Sequence, residues 1–158
     1  MAELHLVRPM PHFTGTFTSL TGPSVPQLPA GWFIVSHHWV TPITQRRLGH
    51  GKWHKITAGD HSVYRLLRFG TQLTGTPTTG AGEIVIDWIG WIDLNGRSPN
   101  VAQPLNLTIE EAPWWKWLSC AWSHPDQTYR IAIGLAVISI VLSVLSAAAS
   151  VLSIFWHP

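Results

Sequence analysis

Residues 131–156, IAIGLAVISIVLSVLSAAASVLSIFW, carry no charged side chain, no proline and a single glycine. As a helix rising about 1.5 Å per residue they reach about 39 Å, against about 30 Å of bilayer hydrocarbon, so the segment is expected to cross a membrane. A buried central helix is the alternative, but a helix packed on a soluble core ordinarily keeps a polar face, and this one has none.

The same segment holds a second pattern. Ala132, Ala136, Ser139, Ser143, Ser146, Ser150 and Ser153 follow one another at spacings of four and three, a heptad stripe of small residues. Helices in lipid associate by close backbone approach rather than by a hydrophobic drive, and small, hydroxylated residues permit that approach. A packing face is therefore expected, with a crossing angle near +20°. The competing possibility is that each hydroxyl bonds back to its own helix. All ten Lys and Arg precede the helix, so the positive-inside rule places the preceding part in the cytoplasm and the far end across the bilayer. MAELHLVRPMPHF lacks the apolar run of a secretory signal, and the expected topology is a single-pass, tail-anchored one.

Subtracting this helix and the proline-rich start leaves roughly 90 residues, enough for one modest core. The single Cys120 cannot form an internal disulfide or a thiolate zinc cluster. Arg46, Arg47, Lys52, Lys55, Arg65 and Arg68 cluster in the first half of the domain. That density suits anionic headgroups or an acidic partner, and is too sparse for nucleic acid. Ten Trp with only 11% charged residues describe a chain that buries surface against lipid or protein.

In order along the chain, residues 1–31 hold Pro9, Pro11, Pro23, Pro26 and Pro29 and are expected to form an extended arm ordered by a partner surface. Residues 32–112 are expected to form a small β-barrel. WFIVSHHWV (32–40) is a strand, Thr41-Pro42 opens a short helix through Arg47, and KWHKITA (52–58) and HSVYRLLRF (61–69) make a hairpin across Gly59-Asp60. Residues 70–82 form a loop. EIVIDWIGWIDL (83–94) is one long strand or two short ones bent at Gly90, and PLNLTIEEA (104–112) turns Leu105, Leu107 and Ile109 inward. The fold class is mainly β, a small cytoplasmic barrel-like domain with one transmembrane helix at 131–156.

A helical turn ending in Leu48-Gly49, the strand Lys52-Trp53-x-x-Ile56 with its hairpin, then GEIVIDWIGWIDLNG and a returning LNLTIEE resemble the paired half-motifs of double-psi β-barrels, over residues 33–112. That superfamily includes aspartate-decarboxylase-like enzymes, molybdopterin-binding domains and substrate-recruiting domains of some AAA+ ATPases. The resemblance implies a fold and conveys no chemistry. The decarboxylases mature at a Gly-Ser bond, and this chain has no Gly-Ser dipeptide.

His37, His38, His50, His54, Asp60 and His61 lie within 25 residues, and imidazole is a common metal ligand. His50, His54 and His61 are the candidates. His50 and His54 are spaced as in HExxH, but the strand pattern from Lys52 denies them a common helical face and the motif's Glu is missing. Solvated loop and strand-edge histidines are the plainer expectation. Asp87 and Asp93 could flank a cleft, yet no Ser-His-Asp or Cys-His arrangement is visible and no phosphate-binding glycine loop is present. No catalytic residue and no cofactor are expected.

Residues 113–130 are more telling. Trp114, Trp115, Trp117 and Trp122 fall within nine positions just before the apolar run. Tryptophan favours the headgroup region, where the ring is half-buried and its N–H stays wet. A short helix opened by Pro113 is expected to lie on the bilayer with Lys116 snorkelling to phosphate, Tyr129 and Arg130 marking the start of the span and Trp156 its far side. Packing on another membrane subunit, or within the domain's own core, are the alternatives. Two functions fit. One is a non-catalytic accessory subunit docked through its helix seam into a larger membrane assembly. The other is a self-associating membrane effector or receptor whose barrel binds a ligand or protein.

Overall fold

A computed structural model describes residues 12–19, 28–35, 49–68, 81–100 and 102–156. Six strands form a closed barrel: β1 (His12–Ser19), β2 (Trp32–Val35), β3 (Trp53–Ala58), β4 (His61–Leu67), β5 (Ala81–Ile86) and β6 (Leu105–Glu111), in the cyclic order β1-β5-β2-β4-β3-β6. Helix α1 (Trp88–Leu94) lies between β5 and β6. A 3₁₀ turn (Trp114–Lys116) and helix α2 (Trp117–Trp122) follow β6, and α3 (Gln127–Trp156) follows α2. The chain divides into two compact units at Pro125/Asp126, so the tryptophan-rich segment belongs with the barrel and α3 stands as a unit of its own.

The strand pairing has an internal order. β1 pairs β5 and β2 pairs β4 in parallel, while β1–β6, β2–β5, β3–β4 and β3–β6 are antiparallel. Exchanging β1, β2, β3 for β4, β5, β6 leaves every one of these pairings in place. The barrel is thus two equivalent three-strand halves, each lending strands to the other's ladder.

Alternation along each strand fills the interior. Phe13 and Phe17 of β1, Ile56 of β3, Val63 and Leu67 of β4, Ile84 and Ile86 of β5, and Leu107 and Ile109 of β6 share one core with Trp91 and Leu94 of α1. A fully buried aliphatic or phenyl side chain in such a core contributes about 1.5–3 kcal/mol. Ile34 and Val85, directly opposite in the β2–β5 register, form a second small cluster on the other face with Leu28 against it.

Three expectations are corrected. The proline-rich start is not all arm: HFTGTFTS is β1, which alternates Phe13 and Phe17 inward with threonines outward. The Thr14 and Thr108 hydroxyls bond at 3.3 Å, and Thr16 Oγ1 donates to Asn106 Oδ1 at 2.7 Å. Residues 83–94 are not strand throughout. β5 ends at Ile86, and Asp87 then caps α1, its carboxylate accepting the Gly90 N–H at 2.9 Å. The apolar helix also begins four residues earlier than expected, at Gln127, where Asp126 Oδ1 accepts the Thr128 N–H at 2.8 Å. The expected helix at 41–47, strand residues 36–40 and most of the 70–82 loop lie outside the described residues.

Candidate functional site

Inward positions at one end of the β3–β4 ladder are polar. His54 and Arg65 sit opposite each other in register, on the same strand faces as Ile56, Ala58, Val63 and Leu67, and both are buried. Arg65 spends its donors inside the protein. Nε and Nη2 bind the two oxygens of Asp87, the latter at 3.0 Å, and Nη1 donates to the Tyr64 carbonyl at 2.9 Å. The guanidinium also lies on Gly90, where a Cβ would meet Nη2 at 2.8 Å. Arg65 is therefore structural, locking β4 to the start of α1, and it leaves the basic cluster expected to meet anionic headgroups or an acidic partner. Arg46 and Arg47 lie outside the described residues.

The three candidate histidines do not converge. His54 Nδ1 donates to the Lys52 carbonyl at 3.1 Å, which makes Nε2 the bare acceptor of a neutral ring; Nε2 has no partner, and the ring meets Phe33 edge-on at 5.7 Å. Burial lowers its pKa, opposed by the Lys52 backbone bond and the Glu111 charge. His54 is a core residue rather than a solvated one. His61 is exposed at the hairpin turn, pairing Ala58. His50 is exposed with its ring 5.9 Å from Trp32, beside Pro29 and Arg68 in a cleft of about 240 Å³. No three His, Cys, Asp or Glu side chains among the described residues are grouped as a metal would need. Of the two acidic candidates, Asp87 is committed to Arg65 and Asp93 is exposed.

The segment after β6 is amphipathic in reverse. Ala112 N–H donates to the Trp53 carbonyl at 2.8 Å, extending the ladder, and the Pro113 carbonyl accepts from Lys116 to start the 3₁₀ turn. Cys120 and Ala121, 0% and 1% exposed, face the barrel. Trp114, Trp115, Trp117 and Trp122 face away, 79%, 62%, 51% and 58% exposed, with Leu118 between them. The rings are not part of the domain's core. Burial raises the pKa of the Cys120 thiol, opposed by the Lys116 charge. His124 pins the far end. It is buried, its ring stands perpendicular to Trp53 at 6.0 Å, and it covers Gly31 so closely that a Cβ there would lie 2.2 Å from Nε2. Between β3 and the 3₁₀ turn is an open cleft of about 270 Å³, lined by Trp53, Trp114, Trp117 and Pro113 and edged by Lys52 and Glu111, whose Nζ and Oε1 are 2.7 Å apart.

Residues 127–153 of α3 are long and apolar enough to span a membrane, and none of the apolar window is buried within the protein. Ala132, Ala136, Ser139, Ser143, Ser146, Ser150 and Ser153 are all exposed. Ser139, Ser143 and Ser150 donate to the carbonyls four residues back at 2.8–2.9 Å, and Ser153 to that of Ser150 at 2.8 Å. Tyr129 and Arg130 lie exposed in the first turn; Trp156 ends the helix, and its side chain is outside the described set.

The fold defines a class, a six-strand mixed barrel joined in sequence to one apolar helix that passes the length and composition test for a membrane span. No family model, curated protein or solved structure matches the chain. Sequence reasoning missed the Arg65–Asp87 pair and the Gly31–His124 contact. An arginine standing in register between Val63 and Leu67 was the available signal for the first; the second joins distant segments and leaves no local trace.

Proposed function

We propose that this chain is a non-catalytic, single-pass accessory subunit of a larger membrane assembly. Its barrel lies on the cytoplasmic side, the tryptophan face of residues 114–122 rests in the headgroup region, and the small-residue stripe of α3 docks against another membrane helix. The observation that carries this reading is the reversed amphipathy after β6: small residues inward and four indoles outward leave a large apolar surface that a domain free in water has no use for. The docking role is supported by the exposure of the small-residue stripe along α3, which permits close backbone approach. Ser139, Ser143, Ser150 and Ser153 bond back to their own helix, so the proposed contact relies on that approach and not on hydroxyl bonds across the helices. The barrel is read as double-psi, supported by the two parallel pairs, β1–β5 and β2–β4, that exchange with each other between its halves.

Purification of the full chain in a mild non-ionic detergent tests the proposal. Unrelated membrane subunits are expected to co-purify in fixed ratio. A lone species of a few identical copies would instead favour the self-associating effector or receptor, and full solubility without detergent would overturn both.

A further inference from the structure

We infer that the cleft between β3 and the 3₁₀ turn binds the phosphocholine headgroup of a bilayer lipid, an inference that rests on the membrane-interface reading of the tryptophan segment. Three indoles, Trp53, Trp114 and Trp117, line this space, and one carboxylate, Glu111, stands at its edge. That is the chemistry that recognises a quaternary ammonium: the cation has no N–H to donate, and is held by the negative faces of aromatic rings with an anion nearby. Lys52 Nζ lies 2.7 Å from Glu111 Oε1, so a cation and an anion are offered side by side. Phosphocholine carries one charge of each sign on a single small group. Its trimethylammonium lies against the rings and Glu111, and its phosphate meets Lys52 in a charge-assisted contact.

The exchange is favourable because little is given up. Lys52 is about half-exposed, and a surface ion pair of this kind contributes little by itself. Glu111 uses Oε1 for Lys52, and its Oε2 has no hydrogen bond among the described residues. Trp53 is already held upright by His124, so one wall of the cleft is preformed. At about 270 Å³ the open cleft admits a group the size of a headgroup. Anionic headgroups without an amine, such as phosphatidylglycerol, would bring the phosphate to Lys52 but leave the rings and Glu111 without a cation.

The test uses the full chain in maltoside micelles, titrated with phosphocholine, phosphoethanolamine and inorganic phosphate while tryptophan fluorescence is followed. A saturable change with phosphocholine is expected, at least tenfold weaker with phosphoethanolamine and absent with phosphate. Trp114→Ala, at a ring 79% exposed, and Glu111→Gln should each weaken phosphocholine about tenfold with the circular dichroism unchanged. No saturable change, an equal response to phosphate, or two variants that bind as tightly as the parent would each overturn the inference. In mixed nanodiscs, phosphatidylcholine should be retained over phosphatidylglycerol on detergent extraction by the parent and not by Trp114→Ala; equal retention overturns the lipid as source. A chain that stays in micelles without headgroup preference refutes this inference alone, whereas one that needs no amphiphile refutes the membrane reading beneath it.

Discussion

Arg65 and Asp87 form a pair in which neither side chain can be removed cheaply, because Arg65 is 3% exposed and Asp87 both neutralises it and caps α1. Asp87→Ala leaves a buried guanidinium uncompensated and is expected to destabilise the barrel by about 3–5 kcal/mol, read as a lowered midpoint in urea unfolding; a shift under about 1 kcal/mol would show that the pair is dispensable. His54 gives a pH dependence of definite sign. Its folded pKa lies below the ordinary 6.5 because burial disfavours the imidazolium. The unfolded chain therefore takes up a proton that the folded one refuses. Stability contributed by the neutral ring is full above about pH 6.5 and falls as the pH drops below it. His54→Leu keeps the Lys52 carbonyl satisfied, since Leu67 N–H also donates to it at 3.1 Å, and should flatten the stability profile between pH 7 and 5; parallel profiles for parent and variant would refute the assignment. The inward arginine left a signal, a charged residue in register between Val63 and Leu67, which its grouping with the other basic residues obscured. The ionisation of His54 was not, because a strand pattern alone does not say which face of a histidine-bearing strand is inside.

Two elements show where local pattern and tertiary structure part. The residues of β1 have a period of two, Phe13 and Phe17 against threonines, yet the surrounding prolines dominate a composition-based reading and hide a strand that needs both β5 and β6 to exist. Residues 88–94 have the aromatic and β-branched content of a strand, but Asp87 supplies an N-cap and Asn95-Gly96 a stop, and those two punctuation marks decide the matter. The tryptophan segment depends on a contact that neither pattern reveals. Gly31, at φ +83°, has no room for a Cβ under His124. Gly31→Ala is thus expected to release residues 117–125 from the barrel. The readouts are faster amide exchange in that segment with the β3–β4 hairpin unchanged, and a rise of at least tenfold in the labelling rate of Cys120, buried in the parent. Unaltered labelling would mean that His124 does not hold the segment.

For the molecule as a whole, the apolar helix was plain from composition because a membrane span is specified by what it lacks. The barrel was legible as a class because most of its strands alternate, while its pairing order was not, since nothing local couples β1 to β6. The heptad stripe on α3 makes a whole-molecule prediction. Ser143→Leu with Ser146→Leu fills the groove that a neighbouring helix would enter and should abolish association in a crosslinking or analytical ultracentrifugation measurement, with membrane insertion kept. Unchanged association would remove the stripe from the proposed role. Strand β6 carries a different consequence. It bridges β1 and β3, joining residues 94 apart such as Thr14 and Thr108, so every earlier part of the cylinder has raw ladder edges until Glu111 has been synthesised. A product cut short before Leu105, by a premature stop or a protease, would offer those edges to its neighbours and clump instead of persisting as an open five-strand sheet.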